Sequence, residues 1–170
     1  MTKAARSSPT NSTAGIVVWR QGASHAGIEI LLVHPGGPFW AKKDEHAWSI
    51  PKGEFDPDTE TANEAAHREF EEELGQPAPQ GDVVELTPFR AGKKQLYAFA
   101  VEGTFDETSI QPDDTHRSMV ELTWPPRSEQ TATFPEVDRA AWFDLATAET
   151  KLHKGQVRLV DQLRTQLARL

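Results

Sequence analysis

The sequence predicts an α+β fold in which a mixed β-sheet lies between helices. Three observations predict it. Strand-like segments occur on both sides of one well-capped central helix. A second helical pattern occupies the end of the chain. No internal repeat or compositional break divides the 170 residues, a length that one core accommodates.

The elements follow in order. Residues 1–13 are rich in Ser, Thr, Ala and Pro and hold no apolar run, so they read as a flexible tail and not a secretory signal. The folded domain is expected over 14–170. Residues 15–20 (Gly-Ile-Val-Val-Trp-Arg) are a strand, 21–27 a hairpin loop, and 28–33 a second strand. His34-Pro35-Gly36-Gly37-Pro38 breaks it. Residues 48–50 form a short strand leading into Pro51-Lys52-Gly53, with Trp48 in the core. Thr61-Ala62-Asn63-Glu64 has the capping-box form, and Gly75 suits the left-handed stop, so a helix spans 62–74. Residues 83–102 are β-rich, with a break at 91–93. Residues 119–124 and 137–143 are further strands. Leu159, Val160, Leu163, Leu167 and Leu170 recur at helical spacing and predict a terminal amphipathic helix.

Composition narrows the function. Asp and Glu number 26 against 18 Lys and Arg, a net charge of -8. That balance argues against broad nucleic-acid binding while leaving room for a local phosphate pocket. With no cysteine, disulfides and thiolate metal sites are excluded, which agrees with a reducing, cytoplasmic setting. No apolar stretch is long enough to cross a bilayer.

The chemistry concentrates on the central helix. At about 100° per residue, Ala62, Ala66, Phe70 and Leu74 form its apolar stripe. Glu69 and Glu73 stack four residues apart, Glu73 projects within the stripe, and Glu72 shares the flank of Glu69. Glu64, Arg68 and Glu71 fall on the opposite side. A solvated acidic face is one reading of such a helix. The other is a site for a hard divalent cation, because carboxylates converging at a core margin repel and are costly to desolvate unless a cation compensates. Oxygen ligands make Mg²⁺ the expected ion and Mn²⁺ a common substitute.

The run Gly53-Glu54-Phe55-Asp56-Pro57-Asp58-Thr59-Glu60, seven residues, then Arg68-Glu69-Phe70-Glu71-Glu72-Glu73-Leu74-Gly75 resembles the Nudix box. Six residues separate Gly53 from Glu60 where the family pattern has five. The extra residue falls in the loop before Thr61 and leaves the helical spacing untouched. Phe70 and Gln76 stand where the pattern has aliphatic residues. The resemblance implies a Nudix fold, an α/β/α sandwich, and hydrolysis of nucleoside diphosphates linked to another group. By position it makes Glu69, Glu72 and Glu73 the metal ligands, often joined by the Gly53 carbonyl. Arg68 matches the residue that orients the box acids, commonly by pairing with the acid at Glu60. A surface pairing of Arg68 with Glu64 is the alternative.

The general base is expected at Glu72, with Glu136 second because many family members place an acid outside the box. Glu136 also reads as an exposed loop residue. Lys52 adjoins the box and is a candidate phosphate ligand. The segment Lys93-Lys94-Gln95-Leu96-Tyr97-Ala98-Phe99 is similar to one in diadenosine tetraphosphate hydrolases of the family, where lysine and tyrosine face phosphate. It also reads as a solvated hairpin. In the stretch 34–43, Phe39 or Trp40 could stack on a base and Lys42 or Lys43 could meet phosphate. A structured turn with one core aromatic is the alternative. The leading expectation is therefore a Mg²⁺-dependent hydrolase of dinucleoside polyphosphates. Nucleoside triphosphates and nucleotide sugars are the neighbouring substrates. A catalytically silent nucleotide sensor and a plain interaction domain are the readings from other classes.

Overall fold

The computed structural model describes residues 11–23, 27–114 and 116–170. Nine strands and three helices are defined among them: β1 Ser12–Gln21, β2 Ile28–Pro35, β3 Lys52–Glu54, α1 Ala62–Leu74, β4 Val83–Glu85, β5 Phe89–Ala91, β6 Lys94–Glu102, β7 Met119–Thr123, β8 Thr131–Pro135, β9 Val137–Asp144, α2 Leu145–Lys151 and α3 Arg158–Leu167. Seven strands form a mixed sheet whose main path runs β4-β6-β1-β2-β9. Strand β1 is central. It runs parallel to β6 and antiparallel to β2 and β3. Among the described residues, strands β7 and β8 pair only with each other.

Period-two alternation explains the layering. Ile16, Val18, Leu31 and Val33 point to one face and pack with Ala65, Ala66, Phe70 and Leu74 of α1. Val17, Ile30 and Leu32 point to the other face, against Ala148, Leu152, Leu159, Val160 and Leu163 of the α2–α3 segment. Burying each of these large side chains contributes about 1.5–3 kcal/mol before entropy is charged. The expected α/β/α sandwich is the one observed.

Local signals place α1. Thr61 Oγ1 accepts the Glu64 N–H at 3.2 Å, and Glu64 Oε2 accepts the Thr61 N–H at 2.9 Å. Gly75 closes the helix at φ 72° and donates its N–H to the Glu71 carbonyl at 2.7 Å.

Four expectations are corrected. Ser12 and Thr13, expected in the tail, belong to β1, because they pair with Gln95, Leu96 and Glu54. The rest of that tail, residues 1–10, lies outside the described residues, as do 24–26 of the expected hairpin loop. The strand expected at 48–50 is reduced to single bridges, Val33 to Ser49 and Trp48 to Leu152. Pro51 offers no N–H, and the ladder with β1 begins only at Lys52. Leu170 does not extend the terminal helix, which ends at Leu167 with Leu170 exposed. Finally, β8 and α2 were not expected. Thr131-Ala132-Thr133-Phe134 does alternate, and Asp144 caps α2 by accepting the Thr147 N–H at 2.8 Å, so both had faint signals.

Candidate active site

Helix α1 presses its acids against β3. A Cβ on Gly53 would run into the Glu69 carboxylate, so this strand position accepts only glycine without a shift. Glu73 sits one turn further on and is buried at 9% exposure. Its Oε2 accepts the Lys52 N–H at 3.3 Å. Burial pushes the Glu73 carboxyl well above the usual carboxylate range. The Lys52 charge pulls it back, while Glu136 and Glu69 raise it further. Burial also raises Glu69, against the hydrogen bond and charge of Arg68.

Arg68 is the hub of the cluster. Its Nε and Nη2 grip Glu60 at 3.2 and 2.6 Å. Its Nη1 reaches Glu69 at 2.7 Å and both oxygens of Glu72 at 3.3 Å, and Nη2 also meets the Glu54 carbonyl at 3.4 Å. The Glu60 bond, chiefly, raises its already high pKa. The helical projection set Arg68 beside Glu64 and Glu71, away from Glu69 and Glu72; the structure reverses this. Arg68 and Glu72 are i,i+4 neighbours about 40° apart around the helix axis, so the guanidinium reaches this flank directly, and Glu64 is already committed to the Thr61 cap. The extra residue before Thr61 does not keep Glu60 from Arg68.

Glu136 reaches the acids from a distant segment. Ser118 links the two, donating its N–H to the Glu72 carbonyl at 2.8 Å and accepting the Glu136 N–H at 3.0 Å. Buried Arg117 reinforces the link through the Glu73 and Val137 carbonyls at 3.2 and 2.6 Å. Glu136 and Glu73 then share a cavity of about 340 Å³ with Lys52, Phe39 and Trp40. Lys52 also lines a second cavity of about 320 Å³, together with Lys94 and Lys154. His153 borders both cavities and stands 5.4 Å from the Trp40 ring. Burial, Lys52 and His46 lower its pKa and favour the neutral ring.

The remaining candidates are scattered. Lys94 lines the second cavity and pairs with Glu54. Lys93 is exposed in the β5–β6 turn, where its carbonyl takes an Arg90 hydrogen bond at 3.1 Å. Tyr97 is half-buried with its ring 5.7 Å from Phe55. Lys43 lies 4.9 Å over the Trp40 ring, and Lys42 is exposed; neither lines the 340 Å³ cavity. Phe39 is 49% exposed, whereas Trp48 is buried as expected.

Several site residues escaped the sequence reading. Val120 and Leu122 of β7 line the first cavity. His34 is fully buried, with Nδ1 2.9 Å from Asp138 and Nε2 2.7 Å from the Lys43 carbonyl, and so pins the loop that carries Phe39 and Trp40. Gln156 Oε1 accepts the Ile50 N–H at 3.1 Å and steadies the approach to Lys52. The alternation of β7 was a signal for Val120 and Leu122. Nothing local marked the partners of His34 or Gln156.

The donor set fits a hard divalent cation. Glu69, Glu72, Glu73 and the Gly53 carbonyl offer only oxygen, and two of the acids are partly or wholly desolvated. Among the described residues no three carboxylate or imidazole groups are already drawn together as ligands. Arg68 holds Glu69 and Glu72, and the Lys52 amide holds Glu73.

Comparison with known proteins agrees with the geometry. The family model described as NUDIX domain matches residues 9–163. An 8-oxo-(d)GTP phosphatase of Mycolicibacterium smegmatis is 31% identical over 130 residues, covering 71% of this chain and 36% of that protein. The chain therefore spans little more than a third of the length of this curated relative. The NUDIX domain of Shewanella oneidensis NrtR, solved with ADP ribose, superposes with a TM-score of 0.58 at 15% identity, covering 94% of this chain and 90% of that one. A C. elegans Ap4A hydrolase binary complex gives a TM-score of 0.57 at 19% identity, covering 94% and 100%. At these identities the two structures speak for the fold.

Proposed function

Since the chain belongs to the Nudix domain family, we propose that it hydrolyses a phosphoanhydride bond in a nucleoside polyphosphate, with Mg²⁺ or Mn²⁺ held by Glu69, Glu72, Glu73 and the Gly53 carbonyl. One observation carries the proposal. A single cavity joins buried Glu73 and Glu136 to the aromatic groups Phe39 and Trp40, with Lys52 on its wall. Carboxylates, a cation and aromatic side chains in one cavity match the metal, phosphate and base of a nucleotide.

A divalent cation bound there supplies positive charge that offsets the phosphate oxygens and polarises the bond to be cleaved. The residues do the rest. Arg68 fixes Glu69 and Glu72 through charge-assisted hydrogen bonds and keeps them from splaying apart. Lys52 meets phosphate at the cavity wall. Glu136 takes the proton of the attacking water, since it lines the cavity beside Glu73, while Glu72 is engaged by Arg68 and serves as a metal ligand. This reverses the order expected from the box alone, in which Glu72 came first.

Within this class, a nucleoside triphosphate is the first substrate. The relative from M. smegmatis acts on a nucleoside triphosphate. A dinucleoside polyphosphate is the second reading, and the second cavity favours it, because Lys94 and Lys154 continue the phosphate path beyond Lys52. The Ap4A hydrolase among the similar folds supports the same reading. Purified protein incubated with Mg²⁺ and a panel of nucleoside triphosphates, diadenosine polyphosphates and ADP-ribose distinguishes the two by chromatography. Turnover led by triphosphates is expected. Binding of nucleotide without turnover of any member would establish a sensor instead.

A further inference from the structure

The hairpin β7–β8 forms its own two-stranded sheet, outside the seven-stranded one. A lone hairpin is marginal in water, so its apolar face must rest on something. That face carries Val120 paired with Phe134 and Leu122 paired with Ala132. The other face carries Glu121, Thr123, Thr131 and Thr133, all exposed. The apolar face turns toward the loop that carries Phe39 and Trp40. A Cβ on Gly37 would lie 3.4 Å from Leu122 and 3.7 Å from Phe134, and the Phe39 ring meets Trp124 edge-on at 5.7 Å. Val120 and Leu122 line the same cavity as Phe39, Trp40, Glu73 and Glu136.

The hairpin is also rooted in the acids. It leaves the body at Ser118 and returns at Glu136, the two residues whose backbones bond each other and the Glu72 carbonyl. Its position relative to the site is therefore set at both roots.

We propose that β7 is the base-selecting element of this site, with Val120 and Leu122 joining Phe39 and Trp40 in a pocket for a purine base. The proposal rests on the nucleotide-hydrolase reading and adds to it. Every group that these four residues bring to the cavity is apolar or aromatic, which rewards the area of a flat base and not its charge. A two-ring base offers more such area than a one-ring base, so purines gain more from burial and stacking. Thr133 on the opposite face of the hairpin plays no part.

The test compares kcat/KM for GTP, UTP and base-free ribose 5-triphosphate at saturating Mg²⁺. The wild-type protein should prefer GTP to UTP, and UTP to ribose 5-triphosphate. In Leu122→Ser and Val120→Ser the ratio of GTP to ribose 5-triphosphate should fall about tenfold, mostly through KM, while Thr133→Ala keeps it. Equal wild-type rates on the three substrates overturn the base pocket and leave the hydrolase reading standing. An unchanged ratio in both serine variants overturns the role of β7. Absence of turnover on every substrate removes the hydrolase reading and this proposal with it.

Discussion

Arg68 holds Glu60 by two parallel hydrogen bonds, Nε to Oε2 at 3.2 Å and Nη2 to Oε1 at 2.6 Å, and this fork leaves Nη1 for Glu69 and Glu72. A planar guanidinium can grip Glu60 bidentately and still serve two further carboxylates, whereas the point charge of a lysine ammonium cannot reproduce that fork. Arg68→Lys should therefore lower kcat at least tenfold and raise the Mg²⁺ concentration for half-maximal activity. Glu60→Gln should do the same more weakly. The double variant should lose less than the product of the two losses, because both act through one network. Steady-state kinetics across a Mg²⁺ titration measures all three.

Glu136→Gln removes the proposed base while leaving the backbone link through Ser118 in place. Its kcat should fall about 10²–10⁴-fold at saturating Mg²⁺. Glu72→Gln should respond differently, with weaker metal binding that excess Mg²⁺ repairs. The opposite pattern would return the base to Glu72.

Gly53→Ala places a methyl group where the Glu69 carboxylate now lies. The helix is anchored by its caps and by Phe70, so the carboxylate is the group that yields. Metal affinity should fall about tenfold with circular dichroism unchanged. Isothermal titration with Mn²⁺ would detect it without reference to any substrate.

Glu73 gives a pH signature for the metal-free protein. Its folded pKa is raised, mainly by burial, so between the ordinary carboxylate value and the raised one the native state binds more proton than the unfolded chain. The corresponding stability is fully present below the unfolded pKa and is lost as pH rises through the folded one. Without divalent cation, Glu73→Gln should therefore melt above the wild type at neutral pH. The gap should close on acidification toward pH 5 and shrink again when Mg²⁺ is added. His153, whose pKa is lowered, tilts both proteins alike and cancels from the difference. Differential scanning calorimetry of the pair at several pH values checks the sign.

Gln156→Ala should cost stability and not chemistry alone. Its side chain satisfies the buried Ile50 N–H, and no buried side-chain polar atom among the described residues lacks a partner. Leaving that N–H unpaired costs about 1–3 kcal/mol. Urea denaturation would show a lower midpoint with an unchanged slope.

Much of the fold was legible because its signals are local. Thr61, Glu64 and Gly75 mark both ends of α1 within one turn, and β1 and β2 announce themselves by runs of buried residues. The pairing of Glu60 with Arg68 followed from the box resemblance despite the inserted residue. The hairpin β7–β8 was only half legible, since β8 is five residues with a proline and pairs with one neighbour.

By itself, then, the sequence determined the capped helix, the sandwich and the three acids on one flank of α1, because caps and periodicity act over a few residues. Tertiary structure decided how those acids differ. It buried Glu73, left Glu72 half exposed, turned Arg68 inward and brought Glu136, Val120, Leu122 and His153 to one cavity. A helical projection gives only an angle around an axis. Burial and encounter depend on what the rest of the chain packs against that angle, and the segments that do so lie far away in sequence.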